Sequence, residues 1–64
     1  MFEIIEIIGT SSENYSAAVA NAVEQAGAQS MDVHFVEVLQ QHGSVRNGKI
    51  SEYQAVVKVA GKRK

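Results

Sequence analysis

Three apolar stretches rich in β-branched residues share this chain with one helical pattern, and a single helix covers a single face of a sheet. The stretches run from Phe2 to Ile8, Val33 to Leu39 and Ile50 to Val59, with the helical pattern between the first two. The other sheet face is expected to carry Val33, Phe35, Leu39, Ile50, Gln54 and Val56. A patch so apolar is unfavourable in water on a solitary monomer. Copies of the same chain, a flat ligand, or both are expected to close it.

The local signals set the order of elements. Phe2-Glu-Ile-Ile-Glu-Ile-Ile8 is short, β-branched and closed by Gly9, and only Glu3 and Glu6 interrupt it, so it reads as a strand covered on both faces. In Gly9-Thr-Ser-Ser-Glu13, Thr10 or Ser11 is placed to cap a helix, and Thr10 with Glu13 has the spacing of a capping box. Tyr15, Val19, Ala22, Val23 and Ala26 then recur at steps of three and four, and Gly27 marks the expected left-handed stop. From Met31 the pattern alternates. His34, Val36, Val38 and Gln40, with Ser51, Tyr53, Ala55, Val57 and Val59, are assigned to the helix side, which keeps Glu37, Glu52 and Lys58 off the core. Phe35 and Gln54 then share the uncovered face. Asn47-Gly48 is a turn signal and Gly43 a second bend, predicting an antiparallel hairpin with a loop near His42 to Gly48. The fold class is α+β: a β-α-β-β chain, residues 1–64 as one domain, with a three-stranded antiparallel sheet wrapped on one helix.

A core built from 64 residues rarely supplies more than about 3–5 kcal/mol without a staple. With no cysteine there is neither disulfide nor thiolate metal site, so oligomerisation is the expected extra source of stability. Absence of cysteine also fits a reducing cytoplasm. A net charge of −1 with 20% charged residues argues against nucleic-acid binding through a broad basic surface. Lys62, Arg63 and Lys64 read as a frayed, solvated tail. No apolar run approaches the roughly 20 residues of a membrane span, and no basic segment precedes the first strand. A soluble, unprocessed, cytoplasmic protein is expected.

Catalytic constellations are nearly absent. Ser11 and Ser12 follow a strand without the second glycine of a nucleophile elbow, and capping accounts for both hydroxyls. His34 and His42 stand eight positions apart with no carboxylate at metal-ligand spacing. Gly43 and Gly48 are ordinary turn glycines rather than a phosphate cradle. The expectation is no enzyme, no catalytic residue and no metal site. The uncovered face has more specific chemistry, because Phe35 offers a stacking platform and the Gln54 amide can both donate and accept toward a heteroaromatic edge. The competing reading makes Phe35 oligomer core and pairs Gln54 with neighbouring backbone.

Taken together, Gly9-Thr-Ser-Ser after an Ile-rich strand, the helix ending near Gly27, Phe35-Val-Glu-Val38 and Glu52-Tyr-Gln-Ala-Val-Val-Lys-Val59 resemble the dodecins, small flavin-binding proteins of bacteria and archaea. The likeness spans Phe2 to about Ala60 in matching order. It implies a hollow homododecamer of β-α-β-β subunits that holds flavin, riboflavin or FMN, between two-fold related subunits, for storage, buffering and photoprotection. It implies Phe35, Gln54, Glu37, His42 and Arg46 as cofactor-binding residues. Phe35 stands where the family has a tryptophan on strand two, and Gln54 matches the family's flavin-bonding glutamine. Exchanging indole for phenyl on both sides of a shared pocket implies a loss of about 2 kcal/mol, or about thirtyfold in affinity. His42 stands where some members place an arginine before the loop glycine, leaving Arg46 and Lys62 to meet a phosphate. The alternative is a dodecin-like shell holding calcium or a coenzyme A type nucleotide, with symmetry gathering carboxylates from Glu3, Glu6, Glu37 and Glu52.

Overall fold

A computed structural model describes residues 2–64, which run as β1 (Glu3–Ser11), α1 (Tyr15–Ala28), β2 (Met31–Arg46) and β3 (Lys49–Arg63). The strands form one antiparallel sheet in the order β1-β3-β2, with the helix packed on one face. The β-α-β-β order and the hairpin turn are those expected from the residue pattern. Among the described residues no helix is long and apolar enough to cross a membrane.

The helix lies against β1 through small residues. Ala18, Ala22 and Ala26, spaced four apart on one side of α1, are fully buried against Ile7, Ala55, Val57 and Val59. Gly9 makes that approach possible. A methyl group there would collide with the Ala18 carbonyl oxygen and stand 2.8 Å from Ala22 Cβ and 2.9 Å from Ala22 N. Gly9 therefore does not end the strand, which continues to Ser11 with Gly9 opposite Ala55. The buried stripe is centred on the alanines, and Tyr15, Val19 and Val23 are only half-buried at its flanks.

Both helix ends differ from expectation. Because the ladder with β3 holds Thr10 and Ser11 extended, opposite Gln54 and Tyr53, neither can cap a helix that begins at Tyr15. Asn14 is the cap, its Oδ1 accepting from the Ala17 amide at 2.7 Å, while Ser11 Oγ accepts from the Glu13 amide at 3.0 Å. The Thr10–Glu13 capping box does not form. At the other end Gly27 is helical, and the left-handed residue is Ser30 with φ of 64°.

The β2–β3 hairpin is longer than the pattern suggests. Asn47 (φ 53°) and Gly48 (φ 77°) form a two-residue turn between the paired Arg46 and Lys49, so the expected loop from His42 is strand. Gly43 is part of β2 opposite Tyr53. The Tyr15 and Tyr53 rings meet edge-to-face at 4.9 Å, and the Tyr15 hydroxyl lies 3.1 Å from where a Gly43 side chain would begin.

Three irregularities interrupt the pairing, between Val33 and Phe35, Val38 and Gln40, and Ser44 and Val45. Each inserts or drops one residue and so resets which face the next side chain occupies. Val33 packs on the helix-side core rather than on the uncovered face, and His34 becomes the extra residue of a bulge. Gln40 moves to the uncovered face, opposite Val56. Ile50 moves to the helix side, with its Cγ2 3.3 Å from the position of a Gly43 side chain.

Beyond Gly43 and Tyr53, neither α1 nor β1 accompanies the hairpin, and it projects as a two-stranded arm whose described residues from Ser44 to Ser51 are all exposed. The chain measures 46 × 18 × 13 Å with a radius of gyration of 12.6 Å, against about 11 Å for a compact domain of this length. A free two-stranded ribbon is marginal in water at best.

The carboxyl end is tied down rather than frayed. Arg63 grips Glu3 through two hydrogen bonds, Nε to Oε1 at 3.1 Å and Nη2 to Oε2 at 2.8 Å, and donates Nη1 to the Gln29 carbonyl at 2.8 Å. The Lys64 amide reaches the Ser30 carbonyl at 2.9 Å. Lys62 Nζ stands 5.9 Å from the centroid of the Phe2 ring. These contacts join β1, the helix exit and β3 at one end of the sheet.

Candidate functional site

Pairing across the sheet fixes the rows of the face that α1 leaves open. They are Ile4–Ala60–Phe35, Glu6–Lys58–Glu37, Ile8–Val56–Gln40 and Thr10–Gln54–His42. Ile4 is 62% exposed, Ile8 59% and Phe35 59%. Rows of apolar and polar side chains thus alternate along the face, Glu6, Lys58 and Glu37 separating Ile4 and Phe35 from Ile8 and Val56. Ile4 and Ile8 belong to this face because β1, expected to be covered on both sides, is covered on one, where Ile5, Ile7 and Gly9 face the helix. Their alternation with Glu6 was the signal in the sequence.

Phe35 and Gln54 share this face but are not neighbours. Ala60 opposes Phe35, and Gln54 lies six residues back along β3, about 20 Å away at about 3.3 Å per residue. Glu37, opposite Lys58, is near Phe35, while His42 lies directly across from Gln54. Arg46 is at the tip of the arm opposite Lys49, five residues further along β3 from Gln54, and meets neither group. Within one chain the expected residues therefore form two pairs, Phe35 with Glu37 and Gln54 with His42, and leave Arg46 apart.

The polar pair is held by hydrogen bonds along each strand. Gln54 Nε2 donates to Glu52 Oε1 at 2.9 Å, and His42 Nε2 lies 3.0 Å from Gln40 Oε1. At the far end of the sheet, the His34 ring meets Phe2 edge-on at 5.1 Å and sits 3.7 Å from Asp32. Hydrogen bonding from Arg63 is the main reason the Glu3 carboxyl is held below its ordinary value; slight desolvation opposes it and the guanidinium charge adds to it. The same contacts raise the Arg63 guanidinium further.

A groove of about 310 Å³ opens on the helix side, lined by Tyr15, Ser16, Val19, Val38 and Gln41. It is on the opposite side of the sheet from Phe35 and Gln54. Among the described residues no three His, Asp or Glu side chains converge to hold a metal ion. What the open face offers chemically is exposed apolar side chains, an aromatic ring and oriented amides, a set suited to stacking and edge-on hydrogen bonding.

Known proteins share this fold. The Dodecin family model matches residues 1–62. A tryptophan-to-phenylalanine variant of the Thermus thermophilus dodecin superposes with a TM-score of 0.90 at 28% identity, covering all of this chain and 96% of that one. The dodecin of Streptomyces davaonensis gives 0.92 at 25% identity, covering all of this chain and 94% of that one. The calcium-chelating dodecin of Mycobacterium tuberculosis gives 0.84 at 32% identity, covering all of this chain and 91% of that one. No curated protein sequence matches the chain.

Proposed function

We propose, from the premise that this chain belongs to the dodecin family, that it is a flavin-binding storage protein of the cytoplasm. Its single domain assembles as a homododecamer, and riboflavin or FMN is stacked between two-fold related subunits. The observation that carries this reading is the open sheet face, where Phe35, Ile4 and Ile8 are each more than half exposed and the Gln54 amide lies on the same face, one row beyond Ile8. Closing that face by copies of the chain buries these exposed apolar side chains and shelters the projecting arm as well.

The separation of about 20 Å between Phe35 and Gln54 has a direct bearing on the pocket. One tricyclic ring does not reach both from a single chain, so the stacking ring and the bonding amide come from different subunits. Binding and assembly are then one event. Phenylalanine in place of tryptophan keeps a π-face with less area, and the Thermus thermophilus variant with such an exchange retains the subunit fold. His42 beside Gln54 and Glu37 beside Phe35 border the ligand, and Arg46 on the arm meets a phosphate if FMN is the form held. Stacking between rings and away from water limits the side reactions of excited flavin, which gives the particle a buffering and photoprotective role. Phenyl is a poorer electron donor than indole, so the bound flavin stays partly fluorescent.

The experiment is a titration of purified protein with riboflavin, followed by fluorescence and sedimentation together. Co-sedimentation of yellow ligand with a dodecamer-sized particle supports the proposal. A particle of that size that leaves riboflavin free at tens of micromolar refutes it. The calcium-chelating relative supports a second reading, in which the shell holds calcium instead. Since no metal-binding trio converges among the described residues, that site needs carboxylates such as Glu6 and Glu37 from several chains. Calcium titration of the same ligand-free particle decides between them.

A further inference from the structure

Glu52 and Gln54 lie two positions apart on β3 and so share the open face. Both are half-buried, and Gln54 Nε2 donates to Glu52 Oε1 at 2.9 Å. An ionised carboxylate only accepts hydrogen bonds. Turning the amide over would set Gln54 Oε1 against Glu52 Oε1, two acceptors in contact, so the side chain has one favoured orientation. Its NH2 faces Glu52, and its carbonyl oxygen is turned away. The neighbouring ring does not compete for that oxygen, because His42 Nε2 is engaged with Gln40 Oε1 at 3.0 Å.

We infer that Glu52 is a positioning residue: it locks the Gln54 amide with its carbonyl outward, so that this face selects a planar heterocycle whose edge presents an N–H donor. The inference rests on the flavin reading and deepens it. The imide of the flavin pyrimidine ring offers such an N–H, flanked by carbonyl oxygens. Gln54 Oε1 accepts from the imide N–H, and the second Nε2 hydrogen donates to an adjacent imide carbonyl. A ring alkylated at the imide nitrogen loses the donor and leaves the outward carbonyl unpaired in a closed interface, a loss of about tenfold in affinity.

The test compares riboflavin with N3-methylriboflavin on the purified assembled protein, by fluorescence titration, in wild type and in Glu52→Gln. Wild type is expected to prefer riboflavin about tenfold. Glu52→Gln is nearly isosteric, and its amide can pair with Gln54 in either orientation. The preference is therefore expected to fall to about twofold or less, while the particle size measured by sedimentation is unchanged. If Glu52→Gln fails to assemble, Glu52→Ala is read in the same way. A variant that keeps the wild-type preference overturns the role of Glu52, and equal binding of the two ligands by wild type overturns the selection, in both cases with flavin binding intact. An assembled wild type that binds neither ligand overturns this inference together with the flavin reading, and the missing riboflavin signal itself identifies that outcome.

Discussion

Replacing Gly9 by alanine tests the packing on which the whole subunit depends. The added methyl would stand 2.8 Å from Ala22 Cβ and 2.9 Å from Ala22 N, where ordinary contact begins at 3.4 Å, and it would be closer still to the Ala18 carbonyl oxygen. Two of these three groups are helix backbone, so no rotamer change relieves them. The helix must move off β1 by about 0.6 Å or more, and a gap of that size forfeits about a quarter to a half of each dispersion contact. Summed over the buried Ala18, Ala22 and Ala26 with their partners Ile7, Val57 and Val59, and added to an ordinary overpacking strain of about 1–3 kcal/mol, the loss is about 2–4 kcal/mol. In a chain of this size that lowers Tm by about 10 °C or more. The control is Gly27→Ala, at a helical position where a new Cβ meets nothing within 4 Å. It should raise stability by about 0.5–1 kcal/mol. Circular dichroism melts at matched chain concentration measure both, since subunit association makes Tm concentration-dependent. A Gly9→Ala protein that melts within about 2 °C of wild type would refute the account of Gly9 as the point of helix contact.

Other expectations follow from single contacts. Asn14→Ala removes the bond to the Ala17 amide and should destabilise by about 1 kcal/mol in the same melts, whereas Thr10→Ala should not act through helix capping. Because Arg63 holds the Glu3 carboxyl below its ordinary value of 4.5, their pairing is intact above that pH and is lost as pH falls through the depressed value. The gap in Tm between wild type and Glu3→Gln should therefore be present at pH 7 and close as the pH falls through that depressed value, and it should shrink with added salt. A gap that persists unchanged to pH 2 contradicts the pairing. Phe35→Trp should tighten riboflavin by about thirtyfold in a fluorescence titration, and no change would mean that the ring does not stack on the ligand.

The element order was legible because each element carries a strong local signal. β-branched runs, an apolar helical period and Asn47-Gly48 stand in sequence without overlap. What alternation could not show is where it resets. The bulges at His34 and Leu39, and the shift near Ser51, depend on how β2 lies on β3, and they carry Val33 and Ile50 to the helix side and Gln40 to the open face. Thr10 looked like a cap because the pairing that extends β1 to Ser11 is a long-range property. Lys62, Arg63 and Lys64 looked like a tail because the partners of Arg63, Glu3 and the Gln29 carbonyl, are remote in the chain. At the candidate site, Phe35 and Gln54 were correctly assigned to one face. Their separation along it became visible only once the register was known, and Glu52, in plain alternation with Gln54, was legible as its neighbour but not as its hydrogen-bond acceptor.

Particle mass in dilute buffer, from sedimentation or native mass spectrometry, bears most directly on the claim that sister chains seal the exposed β-layer. The account predicts a closed particle of twelve copies, 12 × 6.9 kDa or about 83 kDa, that persists at low micromolar chain concentration. A stable, folded species of 6.9 kDa under those conditions would contradict it.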